Sequence, residues 1–311
     1  MHGKLCGMQK RNRLPTMLWL IPMLLQSMDA HAWGLLTHVY FAQWMLWTLP
    51  LADPNLRRAV RRFPELVLGG ACLPDLSLIS PAFRHTHQWD HIHAMLRAAR
   101  NDEESAVAVG YASHLLVDVV AHNHFVPAHE AMWLEDKLLT HVLSEWAVDA
   151  HLAPMVETTP YELLEKHHAI FAQLMARHFR CSEQRALTTI NRLAKADNLL
   201  RKVALPYLLY HTFRSLDQRV LEHFTYYIAQ TQAMLQQIHS VLDGVHPSWD
   251  ADPIHEPQLL KQLRRRSLVQ LQNRQPDPLK LFAPVKLLHN NMKDIFAINA
   301  PIAAPASTSL G

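Results

Sequence analysis

The run Gly110-Tyr-Ala-Ser-His-Leu-Leu-Val-Asp-Val-Val-Ala-His-Asn-His-Phe-Val-Pro127 constrains this chain more than any other stretch. His114 and Asp118 stand four residues apart in it, and His122 and His124 follow just beyond. Positions i and i+4 of a helix share a face, so an imidazole and a carboxylate project side by side. Leu115, Leu116, Val117, Val119 and Val120 make the surroundings apolar. The polar pair therefore points into a core or a cleft, where burial without a partner is costly. A second pair, His141 and Glu145, repeats the spacing. Two such pairs on neighbouring helices, aimed at each other, make a cation site of nitrogen and oxygen ligands. With 22 histidines in 311 residues, a single His-x-x-x-Asp is more often a helix ion pair than a metal site. Two pairs with a histidine between them rise above that background.

Apolar periodicity predicts helices over residues 34–49, 55–68, 101–120, 134–152, 161–178 and 182–194, and one long helix over 199–242. Only 8 glycines and few alternating β-branched runs leave an all-β or dinucleotide-binding fold little support. The expected fold class is all-α, a multi-helix bundle. His38 falls on the second turn of the first helix, and Asn101-Asp-Glu-Glu104 opens the third with acidic residues suited to a helix N-terminus. Gly69-Gly70-Ala-Cys-Leu-Pro-Asp75 turns the chain sharply, and Asp75 there serves either as a cap or as a functional carboxylate. Arg84-His-Thr-His-Gln-Trp-Asp-His-Ile-His93 reads as a loop holding four histidines and Asp90, a density that packing explains poorly. One of its histidines is expected to be a ligand. Arg57, Arg58, Arg61 and Arg62 form a solvated face or a surface for anionic headgroups.

Past Gly244 the texture changes. Repeated prolines and the Arg264-Arg-Arg266 knot suggest an extension over residues 245–311, laid on a helical core and ending in a disordered tail. His211, His223, His239 and His289 lie outside any constellation and are assigned to packing or surface.

The first 32 residues read as a secretory signal. Lys4, Lys10, Arg11 and Arg13 precede the apolar run Met17–Leu25, which is too short to span a bilayer, and Ala30-His31-Ala32 supplies a cleavage site. Cleavage leaves Trp33 as the new N-terminus of an exported chain, secreted or periplasmic, with no transmembrane span remaining. Only Cys72 and Cys181 then remain, and their spacing does not argue for a disulfide. A net charge of +3 is far from that of a dedicated nucleic-acid binder.

Placed in a row, Trp33, His38, Asp75, His87, His114, Asp118, His124, His141 and Glu145 follow an order that resembles the bacterial zinc-dependent phospholipases C. In that family signal removal exposes a Trp whose amine and carbonyl oxygen bind zinc, and Trp33 matches it. Leu73-Pro74-Asp75 resembles the family's Pro-Asp turn, and His87-Gln-Trp-Asp90 its His-x-Trp-Asp segment. The resemblance implies a helical domain over residues 33–244 built around three zinc ions. Asp118 would bridge two of them, one also held by His87 and His114, the other by the Trp33 terminus and His38. His124, His141 and Glu145 would hold the third. Asp75 would orient or deprotonate the attacking water, or complete a zinc shell. The implied reaction breaks the glycerol–phosphate bond of a phospholipid at a membrane surface, giving diacylglycerol and a phosphorylated headgroup.

A related family, the secreted single-strand-specific zinc nucleases, shares the ligand set, and Trp33-Gly34-Leu-Leu-Thr-His38 fits its opening. Nucleic acid is a substrate only under that alternative. Glu145, the Pro-Asp turn and the scarcity of cysteine favour the lipase. Outside catalysis, a structural or storage zinc protein would account for the histidines, with closed four-ligand shells and no open water position.

Overall fold

Apolar side chains recur at helical spacing along most of the chain, and the computed structural model is accordingly built of α-helices. It describes residues 34–49, 51–126, 129, 137–216, 220–247 and 249–253. Residues 1–33, with the expected signal and Trp33, lie outside the described residues, as does the stretch 254–311 with the Arg264–Arg266 knot and His289.

The helices are α1 (Leu35–Thr48), α2 (Pro54–Arg62), α3 (Pro64–Gly70), α4 (Asp90–Ala98), α5 (Asp102–Val120), α6 (Lys137–Leu152), α7 (Pro160–Lys166), α8 (His168–His178), α9 (Glu183–Lys202), α10 (Leu205–Leu216), α11 (Val220–Leu235) and α12 (Ile238–Leu242). Two short 3-10 turns, Pro74–Leu78 and Pro81–Phe83, link α3 to α4, and a π-turn, Ala121–Phe125, continues α5. No strand occurs among the described residues. The fold is all-α.

Helix α5 is the axis of the bundle. Every residue from Ala106 to Val120 is buried, and α1, α2, α3, α4 and α11 pack around it. A helix apolar on all sides needs such a sheath. The stretch Asp102–Phe125 is long and apolar enough to cross a bilayer, but 94% of its apolar window is buried inside the protein, as expected of a core helix. Its N-terminus is capped by the Asn101 side chain, which accepts the Glu104 amide at 2.9 Å. Glu104 also takes a forked pair of bonds from Arg177 at the end of α8.

The tightest crossing is that of α3 with α5. A Cβ added at Gly110 would stand 2.0 Å from the Val67 carbonyl oxygen, and one at Gly70 would stand 2.5 Å from that of Val107. Glycine on both helices lets the two backbones touch. This contact sets Ala71, just past α3, against the polar face of α5.

Three expectations about helix boundaries change. The predicted helix over 55–68 breaks at Phe63, because Pro64 cannot continue the hydrogen-bond ladder and starts α3 instead. The helix over 161–178 divides at His167 into α7, opened by a Thr159–Glu162 capping box, and α8. The single long helix over 199–242 does not exist. Helix α9 runs from Glu183 through to Lys202, Ala204 adopts a left-handed backbone (φ 54°), and α10, α11 and α12 follow as separate helices. Periodicity records which face is apolar, not where the backbone turns. The histidine-rich segment is likewise not all loop, since Asp90 starts α4.

The beginning of the expected extension packs on the core. Trp249 is buried, its carbonyl accepts the Trp89 indole N–H at 3.0 Å, and the Asp250 carbonyl accepts the Asn123 amide at 2.8 Å. The basic run on α2 is paired in part, with Arg58 and Arg62 both bound to Asp102.

The α3–α5 crossing generates a stability prediction. Gly110→Ala forces two backbones apart, and overpacking of this kind costs about 1–3 kcal/mol or more. Urea denaturation is expected to show a lower midpoint with an unchanged slope; an unaltered midpoint would show that the crossing is not tight.

Candidate metal centre

The centre forms where the polar stripe of α5 meets the first turns of α1 and the loop between α3 and α4. Asp118 is fully buried, and its two oxygens face different histidines. Oδ2 lies 2.8 Å from His114 Nε2 and 3.3 Å from His87 Nε2. Oδ1 lies 3.4 Å from His38 Nε2 and 3.6 Å from His122 Nε2. Asp75 Oδ1 stands 3.7 Å from His114 Nε2 and 3.8 Å from His87 Nε2. Two overlapping groups result that can hold a metal ion: His38, His114 and Asp118, and Asp75, His87 and His114.

Each side chain is aimed by a second contact. His114 Nδ1 lies 2.7 Å from the Ala71 carbonyl, which can only accept, so Nδ1 carries the proton and Nε2 presents a lone pair to Asp118. Thr86 Oγ1 donates to the Pro74 carbonyl at 2.5 Å and faces His87 Nδ1 at 3.3 Å as an acceptor, which again leaves Nε2 bare toward the cluster. The Tyr111 hydroxyl of α5 donates to the Thr86 carbonyl and pins this loop. His38 stacks on His114 with ring centroids 3.7 Å apart.

The first turn of α1, which carries His38, is held from another helix. Gly34 offers no capping side chain; Asp149 of α6 accepts both the Thr37 amide (2.8 Å) and the Thr37 hydroxyl (2.6 Å). Arg201 of α9 binds the other Asp149 oxygen at 2.7 Å and Asp197 at 2.6 Å. A Cβ at Gly34 would lie 2.2 Å from the Asp149 carboxyl carbon, so the close approach requires glycine.

These contacts do not satisfy the cluster by themselves. Both His38 ring nitrogens, both Asp118 oxygens and Asp75 Oδ1 are buried without a hydrogen bond. Ligands about 2.0–2.2 Å from a tetrahedral zinc stand roughly 3.3–3.6 Å apart, which matches the separations of His87, His38 and His122 from Asp118. A lone pair of His114 facing a carboxylate oxygen at 2.8 Å is repulsive unless a cation lies near both. The donor set, imidazole with carboxylate, suits zinc.

Charge follows the same geometry. Burial pushes His38 well below the usual imidazole range, and the His114 ring reinforces it. A neutral imidazole is the ligating form. Burial acts to raise Asp118, but positive charge placed on His114 or His38 outweighs it and holds the carboxyl well below its usual value. Burial pushes Asp75 well up, opposed by His87, with Asp118 and Glu145 adding to the rise.

The structure brings His38, Asp75, His87, His114 and Asp118 together. Glu145 is buried and near enough for its field to act on Asp75. His124 is buried with its ring 4.9 Å from that of Trp249. Trp33 and the side chain of His141 lie outside the described residues. Of the four histidines between Arg84 and His93, His87 alone reaches Asp118. His85 accepts from Arg84, His91 pairs with His178 at 2.8 Å, and His93 faces His246. His122, a competing ligand by its position in the sequence, also joins the cluster; its signal is the spacing Asp118-x-x-x-His122, the same i, i+4 relation as His114 with Asp118. His223, assigned to packing or surface, is buried beside His129 with ring centroids 6.1 Å apart.

Metal removal has a measurable consequence. Zinc a hundredfold above its Kd stabilises the folded chain by about 2.7 kcal/mol, worth roughly 4–5 °C in Tm for a chain of this size. Calorimetry with and without EDTA is expected to show that drop in the wild type and little of it in Asp118→Asn, which should also retain less than half of the wild-type zinc by mass spectrometry. Equal zinc content in the two folded proteins would remove Asp118 from the ligand set.

A family model described as zinc dependent phospholipase C matches residues 37–196, just over half of the chain. No curated protein and no solved structure gives a match. The matched span holds each of the five side chains gathered at the centre, and their donor chemistry is that of a zinc site. This protein therefore belongs to the zinc-dependent phospholipase C family, hydrolases acting on phosphodiester bonds.

Proposed function

We propose that the chain is an exported phospholipase C that hydrolyses the glycerol–phosphate bond of glycerophospholipids to diacylglycerol and a phosphorylated headgroup. The observation that carries this reading is the two-sided Asp118, whose oxygens face separate pairs of imidazoles in a fully buried setting. A carboxylate so placed is suited to share two cations. On its Oδ2 side the proposed ligands are His87 and His114, with Asp75 in reach. On its Oδ1 side they are His38 and the amine and carbonyl of Trp33. His124, His141 and Glu145 complete the proposal with a third site. Zinc at such sites neutralises the anionic phosphodiester and brings the pKa of water toward about 7.

The remaining work belongs to the chain. Asp75 Oδ1 faces the two Nε2 atoms of His87 and His114 and can orient a water or take its proton. His87 is the most exposed of the four clustered imidazoles, at 8%, so substrate is expected to approach from its side. Export bears on the mechanism because signal cleavage before Trp33 would create the terminal amine. The Asp149–Arg201 clamp on the first turn of α1 would then hold that terminus at the cluster.

The processed protein incubated with phosphatidylcholine should release phosphocholine and diacylglycerol in equal amounts, and should cleave single-stranded DNA far more slowly. The reverse preference would replace this reading with the nuclease one. A short peptide fused before Trp33 is expected to lower phospholipid turnover at least 100-fold with the helical circular dichroism intact. Asp75→Asn separates two roles: lost turnover at full zinc content marks the proton acceptor, and lost zinc marks a ligand.

A further inference from the structure

The corner joining α9 to α10 carries apolar side chains that the bundle does not use. Leu199, Val203, Tyr207 and Leu208 are 50%, 36%, 46% and 64% exposed. The inward side of this corner is already satisfied, because Leu200, Leu205 and Leu209 pack against Val142 and Trp146 of α6. The corner is also firmly built. The Val203 amide donates to Leu199, Leu208 donates to Ala204 at 3.0 Å, and Arg201 ties the end of α9 to Asp149 and Asp197. Large aliphatic and aromatic side chains held outward on an ordered corner call for a partner.

Charge identifies the partner's chemistry. From residue 192 to 216 the exposed charged side chains are Arg192, Lys195, Lys202 and Arg214, all basic. The one carboxylate in that stretch, Asp197, is buried against Arg201. A second copy of the chain meeting this face about a twofold axis would set lysine against lysine. An anionic phospholipid surface instead takes apolar and aromatic side chains into its headgroup region and attracts each nearby lysine or arginine. The basic run on α2 is a weaker candidate, since Arg58 and Arg62 are engaged by Asp102.

We infer that the α9–α10 corner is a membrane-docking surface, seating Val203, Tyr207 and Leu208 in an anionic phospholipid leaflet with Lys195 and Lys202 on the headgroups. Its geometry is independent of the enzymatic reading, but the choice of a lipid partner rests on that reading. Helix α6 lies directly beneath the corner and also carries Glu145, so a single helix separates the docking surface from the metal centre.

The test is co-sedimentation of the full, zinc-loaded chain with sucrose-filled vesicles, at 4 °C and before measurable lipid hydrolysis. Wild type is expected to partition at least tenfold more strongly into vesicles with 30% phosphatidylglycerol than into pure phosphatidylcholine. Tyr207→Ser with Leu208→Ser should lower binding to both at least tenfold. Lys195→Glu with Lys202→Glu should abolish the preference for phosphatidylglycerol, each lysine being worth about fivefold at an anionic surface. Hydrolysis of a short-chain phospholipid below its micellar concentration should stay at the wild-type rate in both variants. Absence of that hydrolysis in wild type would overturn the phospholipase reading and leave the docking result standing. The inference is overturned if wild type does not sediment with anionic vesicles, or if both variants bind as wild type does. It is also overturned if wild type is a dimer in solution that the serine variant converts to monomer, which would assign the corner to a second copy.

Discussion

One buried carboxylate organises this molecule. Asp118 sits at the centre of the bundle with imidazoles of His38, His87, His114 and His122 between 2.8 and 3.6 Å away. Burying a charge is expensive unless it is paired, and the Nε2 lone pairs that His87 and His114 turn toward it do not pair it. The cluster becomes favourable when cations occupy it, and membership of a zinc-dependent family supplies the cation. Metal binding and folding are then coupled, because the ligands come from segments that only the folded chain brings together.

Around Asp118 a second tier of contacts fixes the direction of each ligand. The Ala71 carbonyl sets the tautomer of His114, and Ala71 reaches α5 because two glycines let α3 and α5 touch. Thr86 sets His87 while bound to Pro74, next to Asp75, and Tyr111 holds Thr86 in turn. Asp149 grips the first turn of α1 and is itself held by Arg201. Such outer contacts fix ligand orientation before metal arrives, so less order has to be gained on binding.

Arg201 joins two regions with different tasks. On one side its pair with Asp149 steadies the helix that bears His38; on the other it anchors the apolar and basic corner at the end of α9. The proposed chemistry on a lipid would require a buried, charge-neutralising site and, with the proposed docking, an outward surface that meets a bilayer. The helix bundle offers both by using α6 as the wall between them, with Glu145 on the side of the centre and Val142 and Trp146 under the corner.

The all-α class was legible from periodicity, and the pairing of His114 with Asp118 from a four-residue spacing that any helix converts into contact. The order of His38, Asp75, His87, His114 and Asp118 along the chain nominated all five through its resemblance to the zinc-dependent phospholipases C, whereas the residues alone left Asp75 and the choice of loop histidine open. Other features were not local. The choice of His87 over His91 and His93 depends on where Asp90 starts α4, which turns the later two toward His178 and His246. The breaks at Phe63, His167 and Ala204 lie within stretches whose apolar pattern runs on unbroken. The cap on α1 comes from Asp149, 112 residues from Thr37, and the exposed corner is exposed only because Leu200, Leu205 and Leu209 face inward. Residue types and spacing by themselves determined a helical chain with a carboxylate and imidazoles on one buried face, since helix geometry is a local property. Which histidines share that carboxylate, and which apolar side chains are left facing water, only the tertiary structure decided, because both depend on how separate helices cross.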